Sequence, residues 1–340
     1  MFPTLTNPAD LLAAVPYLLG YHPTHSLVAV MIDDRAVKGV IRYDLPEDPG
    51  DAPELAHCCA HALVDSAMPS AFLIGYGPGP LVTPVMDGIY SALTSAEVEI
   101  IDAIRCQSGR YWSYVCPNPE CCSPDGVPYD VSSSTIAASA VTAGMVALPD
   151  RDALCQIIAH ADGPEREPVK TATVAARARA EAQLDTTRWF TEGLRHARKC
   201  FDHVRADRPI PPDDLAWLGV LLTSILVRDI ALTLISEYGD DVSMRLWKEV
   251  TRRVEPEYVL APAVNLGFLA MRAGDGTLAR LAAERALAVD PTYSFANLIM
   301  AALEYNVSPA AIAEVEFADM FEQITAQAIG SPQKARPVLP

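Results

Sequence analysis

The chain has 340 residues, of which 50% are hydrophobic, and it carries a formal net charge of -17. This length is sufficient for two domains with substantial cores. The negative charge argues against binding to nucleic-acid phosphates or to an anionic membrane surface, because both need a basic face. Segment 166–208 is the one basic stretch and hence the one candidate nucleic-acid surface, although a solvated helix face explains it more simply.

Export and membrane insertion are also disfavoured. The first ten residues lack the basic region of a secretion signal. The most apolar segment, 215–235, contains Arg228 and Asp229, which leave an uncharged run of 13 residues that is too short to cross a bilayer. We therefore predict no membrane span. The chain contains eight cysteines, and in the absence of an export signal these are typical of reduced thiols in the cytoplasm.

The first 131 residues alternate between strand and helix patterns. A helix that begins after Asn7 and ends near Leu19 comes first. The remaining predicted elements are strands 26–32, 36–43, 71–76, 98–107 and 111–116, with helices 53–66 and 81–93 between them. This order predicts an α/β (α+β) domain over residues 1–131, with a mixed sheet of about five strands and a Cys/Pro-rich loop at 117–130.

The pattern becomes helical after residue 131. Predicted helices cover residues 132–145, 149–159, 171–204, 213–235 and 242–254, and the stretch 171–204 is either one long helix or a kinked pair. The tetrapeptide at 255–258 has a counterpart at 290–293, and this spacing is typical of tetratricopeptide hairpins. We therefore predict an all-α domain over 132–322 with tetratricopeptide-like hairpins, followed by a flexible tail over 323–340.

Cysteines are concentrated between Arg105 and Asp130. Three of them have the spacing C-x4-C-C, whereas structural zinc sites usually present four ligands from C-x2-C pairs. Three interpretations stay open: buried thiols in a proline-fixed loop, a zinc site, and a redox-active disulfide. No other cofactor is indicated. The candidate metal ligands are Cys106, Cys116, Cys121 and Cys122, with His22 or His25 as further candidates if their loop lies nearby.

The same stretch also contains prolines and aromatic residues. Four prolines fix φ within loop 117–130, which reduces the entropy that the loop loses on ordering. Alternation along the preceding strand places Tyr111 and Trp112 on opposite faces. We predict a rigid loop that contacts a ligand or partner through His22, His25, Arg110, Tyr111, Trp112, Tyr114, Tyr129, Asp130 and Ser132.

Three other motifs have simple structural explanations. The turn at 75–80 is glycine-rich, but its prolines remove N–H donors and no Lys-Ser/Thr pair follows, so phosphate binding is disfavoured. His57 and His61 share one helix face, as solvated side chains often do. The hydroxyl residues at 132–135 precede a helix, and a helix cap accounts for them better than an anion site does.

Several motifs together resemble one known family. Residues 10–23 read Asp-Leu-Leu-Ala-Ala-Val-Pro-Tyr-Leu-Leu-Gly-Tyr-His-Pro and are followed by Ser-Leu-Val at 26–28. The other matching pieces are residues 111–116, 121–122, 128–130, 148–151 and 274–293. Over about residues 7–305 the chain resembles the actinobacterial family described as domain of unknown function 4192. The resemblance implies an intracellular bacterial protein and implies no catalytic residues.

The motifs do not indicate a reaction, because the sequence has no G-x-S-x-G, Walker A or H-E-x-x-H pattern. The sequence favours a non-catalytic binding or adaptor protein that contacts a protein partner, or a second copy of itself, through the cysteine loop and the helical domain. The alternative is a small-molecule enzyme, for example a hydrolase, with a pocket near His22, His25, Tyr111, Trp112 and the cysteine loop.

Overall fold

The computed structural model describes residues 7–93, 96, 98–132, 134–143, 145–182, 186–305, 307–315 and 317–330. The chain divides into two compact units, the first ending at Leu154 and the second beginning at Cys155. The first unit combines a sheet with helices, and the described part of the second is mostly helical. This arrangement confirms the predicted fold class.

The first unit is built on one mixed sheet. Its six described strands are β1 (Ser26–Asp33), β2 (Ala36–Asp44), β3 (Ser70–Tyr76), β4 (Glu99–Gln107), β5 (Arg110–Ser113) and β6 (Val127–Pro128). Their order is β2-β1-β3-β4-β5-β6. Strands β3 and β4 pair in parallel, and the other neighbours are antiparallel. The short sixth strand comes from the Cys/Pro-rich loop, for which the sequence predicted no strand.

Helices pack against this sheet, whose strands β1 and β3 are buried on both faces. The described helices of the unit are α1 (Pro8–Leu19), α2 (Ala52–Asp65), α3 (Gly79–Leu93), α4 (Thr135–Thr142) and α5 (Arg151–Ile158), the last of which crosses the unit boundary. Alternate residues of β1 and β3, including Leu27 and Leu73, are buried in one cluster with Val85 and Ile89 of α3. This burial explains the apolar runs that predicted the strands.

The chain returns to α1 after it leaves the sheet. Ile136 of α4 packs against Ala13 and Ala14 of α1. The backbone of Tyr21 forms a bridge with Leu148. Residues 132–154 therefore belong to the first unit, whereas the sequence placed the domain boundary after residue 131. A boundary read from secondary-structure content alone could not show this return, because α4 and α5 are helical like the unit that follows.

The second unit consists of helices joined by turns in its described residues. The helices are α6 (Arg166–Ala182), α7 (Thr186–Arg205), α8 (Pro212–Leu221), α9 (Ile225–Thr233), α10 (Ile235–Tyr238), α11 (Asp240–Arg253), α12 (Leu260–Arg272), α13 (Gly276–Leu287), α14 (Ser294–Glu304), α15 (Pro309–Ala313) and α16 (Phe317–Gly330). A Cβ on Gly267 of α12 would lie 3.3 Å from the carbonyl oxygen of Ala279 and 3.2 Å from Ile299. Close packing of α12 with α13 and α14 follows, while the tetratricopeptide relationship stays a prediction.

The apolar segment 213–235 is broken, although the sequence predicted one continuous helix there. Segments Pro212–Leu221 and Ile225–Tyr238 meet at an angle of 116°. The Thr223 hydroxyl donates to the carbonyl of Val220 at 2.8 Å, and Ser224 takes an extended conformation. Side-chain bonds of this kind compete with the helix, and hydropathy does not detect them. No single described helix is long and apolar enough to cross a membrane.

The chain remains helical beyond residue 322. Helix α16 extends to Gly330, so the predicted flexible tail 323–340 begins with helical residues, and residues 331–340 lie outside the described part of the chain. Ile324 is buried in a cluster with Phe190, Leu226 and Ile230. The flexible tail was predicted from the late prolines, but the apolar residues before those prolines have helical spacing.

Gly75 provides a test of the packing of α3 on the sheet. A Cβ at Gly75 would lie 2.3 Å from Cγ1 of Val82, a stiff branched side chain on α3. We expect Gly75→Ala to lower the free energy of unfolding by about 1–3 kcal/mol through overpacking. Gly39→Ala is the matched control, because its Cβ would meet only the flexible end of Met31. Equal losses in chemical denaturation for the two variants would contradict this packing.

Candidate functional site

A tight turn joins β4 to β5 at the base of the cysteine loop. Ser108 and Gly109 both have positive φ, 51° and 72°, as a type I′ hairpin turn requires. Gln107 pairs with Arg110 across the turn. Arg110 therefore opens β5, one residue before the start that the sequence predicted for this strand. This turn fixes the register of the aromatic residues that follow.

The indole of Trp112 connects the cysteine loop to the sheet. The guanidinium carbon of Arg105, its neighbour on β4, lies 3.7 Å from the ring centroid. The Nε1 of Trp112 donates a hydrogen bond of 3.0 Å to the carbonyl oxygen of Pro124. Gly126 has φ of +80°, and a Cβ there would lie 2.6 Å from the ring. One side chain thus contacts both a central strand and the returning part of the loop.

Tyr114 continues the same face towards α3. Its hydroxyl oxygen lies 2.7 Å from Oγ1 of Thr83. Burial raises the pKa of Tyr114, so the hydroxyl stays protonated at neutral pH. The residue is nevertheless 36% exposed. The ring is therefore held in place through its hydroxyl and remains partly accessible to solvent.

Tyr111 projects from the opposite face of β5, as the alternation predicts. Its ring meets that of Tyr129 edge to face, with centroids 6.1 Å apart. The cross-strand partner of Tyr111 is Cys106, a buried thiol that accepts a hydrogen bond from the Tyr129 hydroxyl. Burial raises the pKa of Cys106 to about 12. Cys106 is therefore a packed thiol in the interior of the unit.

The thiols of Cys116, Cys121 and Cys122 form what we call the three-cysteine cluster. Their Sγ atoms all lie within 4.8 Å of one another. The carbonyl oxygen of Asn118 accepts hydrogen bonds from the backbone N of Cys121 at 3.2 Å and of Cys122 at 2.8 Å. The chain therefore makes one tight turn, which directs two adjacent cysteines back towards Cys116. The C-x4-C-C spacing, which argued against a metal site in the sequence, brings three sulfurs together.

A hydrogen-bond chain anchors the start of this turn to β4. The Oγ of Ser113 accepts from the backbone N of Val115 at 3.1 Å and of Cys116 at 3.0 Å. The same hydroxyl donates to Oδ1 of Asp102 at 2.7 Å. Burial raises the pKa of Asp102, and the hydrogen bond from Ser113 opposes that shift. The position of Cys116 is therefore set by residues of the sheet.

The three-cysteine cluster is suited to a soft cation. The backbone N–H of Asn118 lowers the pKa of Cys116, while burial and the two neighbouring sulfurs raise the pKa of Cys122 to about 12. Thiolate ligands favour zinc and other soft metals. With Zn–S bonds of about 2.3 Å, the sulfurs of a tetrahedral site are about 3.8 Å apart. Small side-chain rotations would bring this cluster to that geometry.

Tyr111 borders the three-cysteine cluster. Burial raises the pKa of its phenol, and the sulfurs of Cys122 and Cys121 raise it further. Tyr111 is only 8% exposed. The cluster is therefore backed by an aromatic wall on the sheet side, whereas the Cys121 side is exposed to solvent.

The two candidate histidines lie in the loop before β1. His22 and His25 directly precede β1, and strands β3 and β4 separate β1 from β5. Strands are spaced about 4.8 Å apart, so β1 and β5 are separated by about 14 Å. The histidines do not join the three-cysteine cluster, and Cys106 also lies outside it.

The remaining predicted residues shape the loop. Arg110 donates from Nη1 to the carbonyl oxygen of Gly126 at 2.8 Å. The backbone N and the hydroxyl of Ser132 donate to Oδ1 of Asp130 at 2.9 and 2.7 Å. Ser134, not Ser132, caps α4 by accepting from the backbone N of Ile136. The hydroxyl run thus supplies a helix cap, as the sequence indicated, and Ser133 lies outside the described residues.

Sequence reasoning did not assign roles to four residues on which the geometry depends. These residues are Asp102, Arg105, Ser113 and Asn118. A signal existed for Arg105, because the hairpin register places it opposite Trp112. The turn at Asn118 had a weaker signal, namely an asparagine between two prolines, which is a common turn residue.

The basic segment 166–208 is largely neutralised by carboxylates of the second unit. Representative pairs are Arg166 with Glu255 at 3.1 Å, Arg198 with Glu237 at 3.0 Å, Lys199 with Asp214 at 2.7 Å and Arg205 with Asp202 at 2.6 Å. Arg179 also pairs with Glu192. Pairing of this kind favours the solvated helix face over a phosphate-binding surface.

The contact between Gly126 and Trp112 can be separated from the cost of positive φ. Gly126→Ala adds a clash with the ring to the penalty for a side chain at φ of +80°. Gly109→Ala carries the same kind of penalty at φ of +72°, with no atom within 4 Å of its Cβ. We expect Gly126→Ala to reduce the free energy of unfolding by about 1–3 kcal/mol more than Gly109→Ala. Equal losses in urea titrations would show that Trp112 does not fix the loop.

Comparison with known proteins identifies the family. The family model described as "Domain of unknown function (DUF4192)" matches residues 8–310. No curated protein matches the chain, and no solved structure matches it. The family match covers most of the chain, including β1 to β6 and the helices as far as α14. The chain therefore belongs to the DUF4192 family.

Proposed function

We propose that this chain is a non-catalytic binding protein whose cysteine loop is held in shape by one zinc ion. The observation that carries this proposal is the convergence of three Sγ atoms within 4.8 Å in a loop that sheet residues anchor. Zinc binds thiolates in structural sites and has no redox chemistry of its own. The ligands would be Cys116, Cys121 and Cys122, with water or a partner's side chain in the fourth position.

The loop supports recognition because it combines rigidity with accessible aromatic surface. Its prolines at 117, 119, 124 and 128 limit backbone freedom. Half-buried Trp112, exposed Tyr114 and exposed Arg110 are residue types that dominate protein interfaces. A partner would therefore meet a preorganised surface and lose little entropy on binding. The net charge of -17 makes a protein a more suitable partner than nucleic acid or an anionic membrane.

We also propose a reducing location such as the cytoplasm. All eight cysteines are free thiols. Persistent free thiols, together with a thiolate metal site, fit a compartment in which disulfides do not accumulate. The two exposed thiols, Cys58 and Cys121, would be the first to oxidise elsewhere.

One observation favours the rival function, a small-molecule hydrolase. Catalytic zinc sites commonly use three protein ligands and leave the fourth position for water, and the described cluster also has three. An acid or base would have to lie beside that water. The pKa of Tyr111 is raised, so its phenol stays protonated and does not accept a proton at neutral pH. One carboxylate oxygen of Asp102 already accepts hydrogen bonds from Ser113 and from the backbone N of Ala103. Tyr111 and Trp112 also occupy opposite faces, which favours the non-catalytic function.

Metal analysis of the native protein tests the zinc site. We expect about one zinc ion per chain by mass spectrometry. Cys121→Ser should weaken zinc binding at least about tenfold in competition with a chelator, because it removes one of three ligands. Cys58→Ser is the control, since it removes an exposed thiol of α2 outside the cluster. Metal-free protein with freely reactive thiols at 116, 121 and 122, even after zinc addition, would refute the site.

Affinity capture with the full chain tests the recognition surface. A stoichiometric partner, or a second copy, should bind the zinc-loaded protein and bind Tyr114→Ala about tenfold more weakly, as loss of an interface aromatic predicts. Tyr114→Phe controls for the hydroxyl contact with Thr83. Chelation of zinc should weaken partner binding by the wild type and leave partner binding by Cys121→Ser unchanged. A monomer without any stoichiometric partner would count against a binding role.

A further inference from the structure

A second candidate site lies within the helical unit, independent of the cysteine loop. A cavity of about 660 Å³ is lined by five residues of α11, namely Arg245, Lys248, Glu249, Arg252 and Arg253. Residues at i, i+3, i+4 and i+7 share one face of a helix, so α11 presents its charges to the cavity as a row. Ile157, Pro168 and Pro212 provide an apolar wall. This volume suits a small molecule.

The cations of this cavity differ in how they are paired. Arg245 contacts Asp207 at 2.6 Å and Asp241 at 3.1 Å. Arg253 contacts Glu249 at 2.6 Å. Lys248 and Arg252, one turn apart, form no ion pair with any carboxylate of the described residues. The paired arginines are therefore structural, and the two other cations line the cavity without a described carboxylate at ion-pair distance.

A third cation lies next to this pair. Arg285 of α13 is half-buried and has no ion pair within the part of the chain that the structure describes. Burial, together with the charge of Arg252, lowers the pKa of Arg285 to about 10. The chain has 43 acidic and 26 basic residues, so carboxylates are plentiful elsewhere. The cavity lining has four cations and two carboxylates, and this local excess of cations is an exception that a bound anion would neutralise.

We infer that this cavity binds a small anion of the phosphate or diphosphate class through Lys248 and Arg252. Guanidinium groups bind phosphate oxygens through paired hydrogen bonds, and an ammonium adds a compact charge. Two unpaired cations match the charge of a dianion. Glu165 also lines the cavity, and its carboxylate can accept a hydrogen bond from a hydroxyl of a larger ligand. The proline wall can pack against the apolar part of such a ligand.

Isothermal titration of the full chain with sodium pyrophosphate tests this site. We expect saturable binding with one site per chain that weakens as sodium chloride increases. The double variant Lys248→Gln/Arg252→Gln should bind at least tenfold more weakly. The matched control is Arg35→Gln/Lys38→Gln, which removes the same charge from exposed positions in the β1–β2 turn and at the start of β2. Circular dichroism and thermal melts would establish that both double variants are folded.

Titrations with other anions distinguish which kind of phosphate compound the cavity binds. Orthophosphate that binds as tightly as pyrophosphate would assign a single phosphate, and tighter binding of ADP would assign a nucleotide whose remaining groups use the proline wall. Either result supports the phosphate class. Arg252→Lys should retain part of the affinity. Citrate binding tighter than pyrophosphate, no saturable binding by the wild type, or equal affinity in the Lys248/Arg252 variant would overturn the inference.

Discussion

The contact between Trp112 and the returning loop is the constraint on which the candidate site depends. The indole is fixed by Arg105 beneath it and by its hydrogen bond to the carbonyl of Pro124. Gly126 lies so close to the ring that no larger residue fits without a shift. A cation–π contact of this kind contributes about 0.5–2 kcal/mol. The contacts of Trp112 with Pro124 and Gly126 fix the returning end of the loop. Ser113 and Asp102 hold the other end beside the sheet.

Between these two anchors, the loop brings three thiols together. The turn at Asn118 brings Cys121 and Cys122 towards Cys116. A metal ion bound there would cross-link the middle of the loop, and the two anchors would then transmit that order to Trp112 and Tyr114. In this proposal, metal binding and the order of the recognition surface are therefore coupled. The unpaired cations of α11 form a separate chemical feature within the other unit.

Much of the fold could be predicted from the sequence, because burial leaves a periodic pattern. The runs at β1 and β3 and the cap at Asn7 are examples in which local chemistry determines the element. The break at Thr223 and Ser224 was missed because two hydroxyl side chains within an apolar stretch do not alter hydropathy. The return of α4 to α1 was missed because it is a tertiary contact.

The candidate site was only partly predictable for the same physical reason. The sequence indicated the aromatic alternation and the possibility of zinc, both of which follow from spacing along the chain. The C-x4-C-C spacing, however, argued against a three-cysteine cluster. Spacing alone does not reveal the turn at Asn118, which directs two adjacent cysteines towards Cys116. The histidines at 22 and 25 looked suitable as residue types, but the strand order separates them from β5. Position across a sheet cannot be read from one strand at a time.

X-ray absorption at the zinc edge tests the central claim most directly, because it reports the atoms bound to the metal. The account predicts zinc with three sulfur neighbours at about 2.3 Å and one lighter neighbour. The lighter neighbour should be oxygen or nitrogen, since the fourth position is open to water or a partner. A spectrum with no sulfur neighbours, recorded on the 340-residue chain with one zinc ion per chain, would contradict the three-cysteine site.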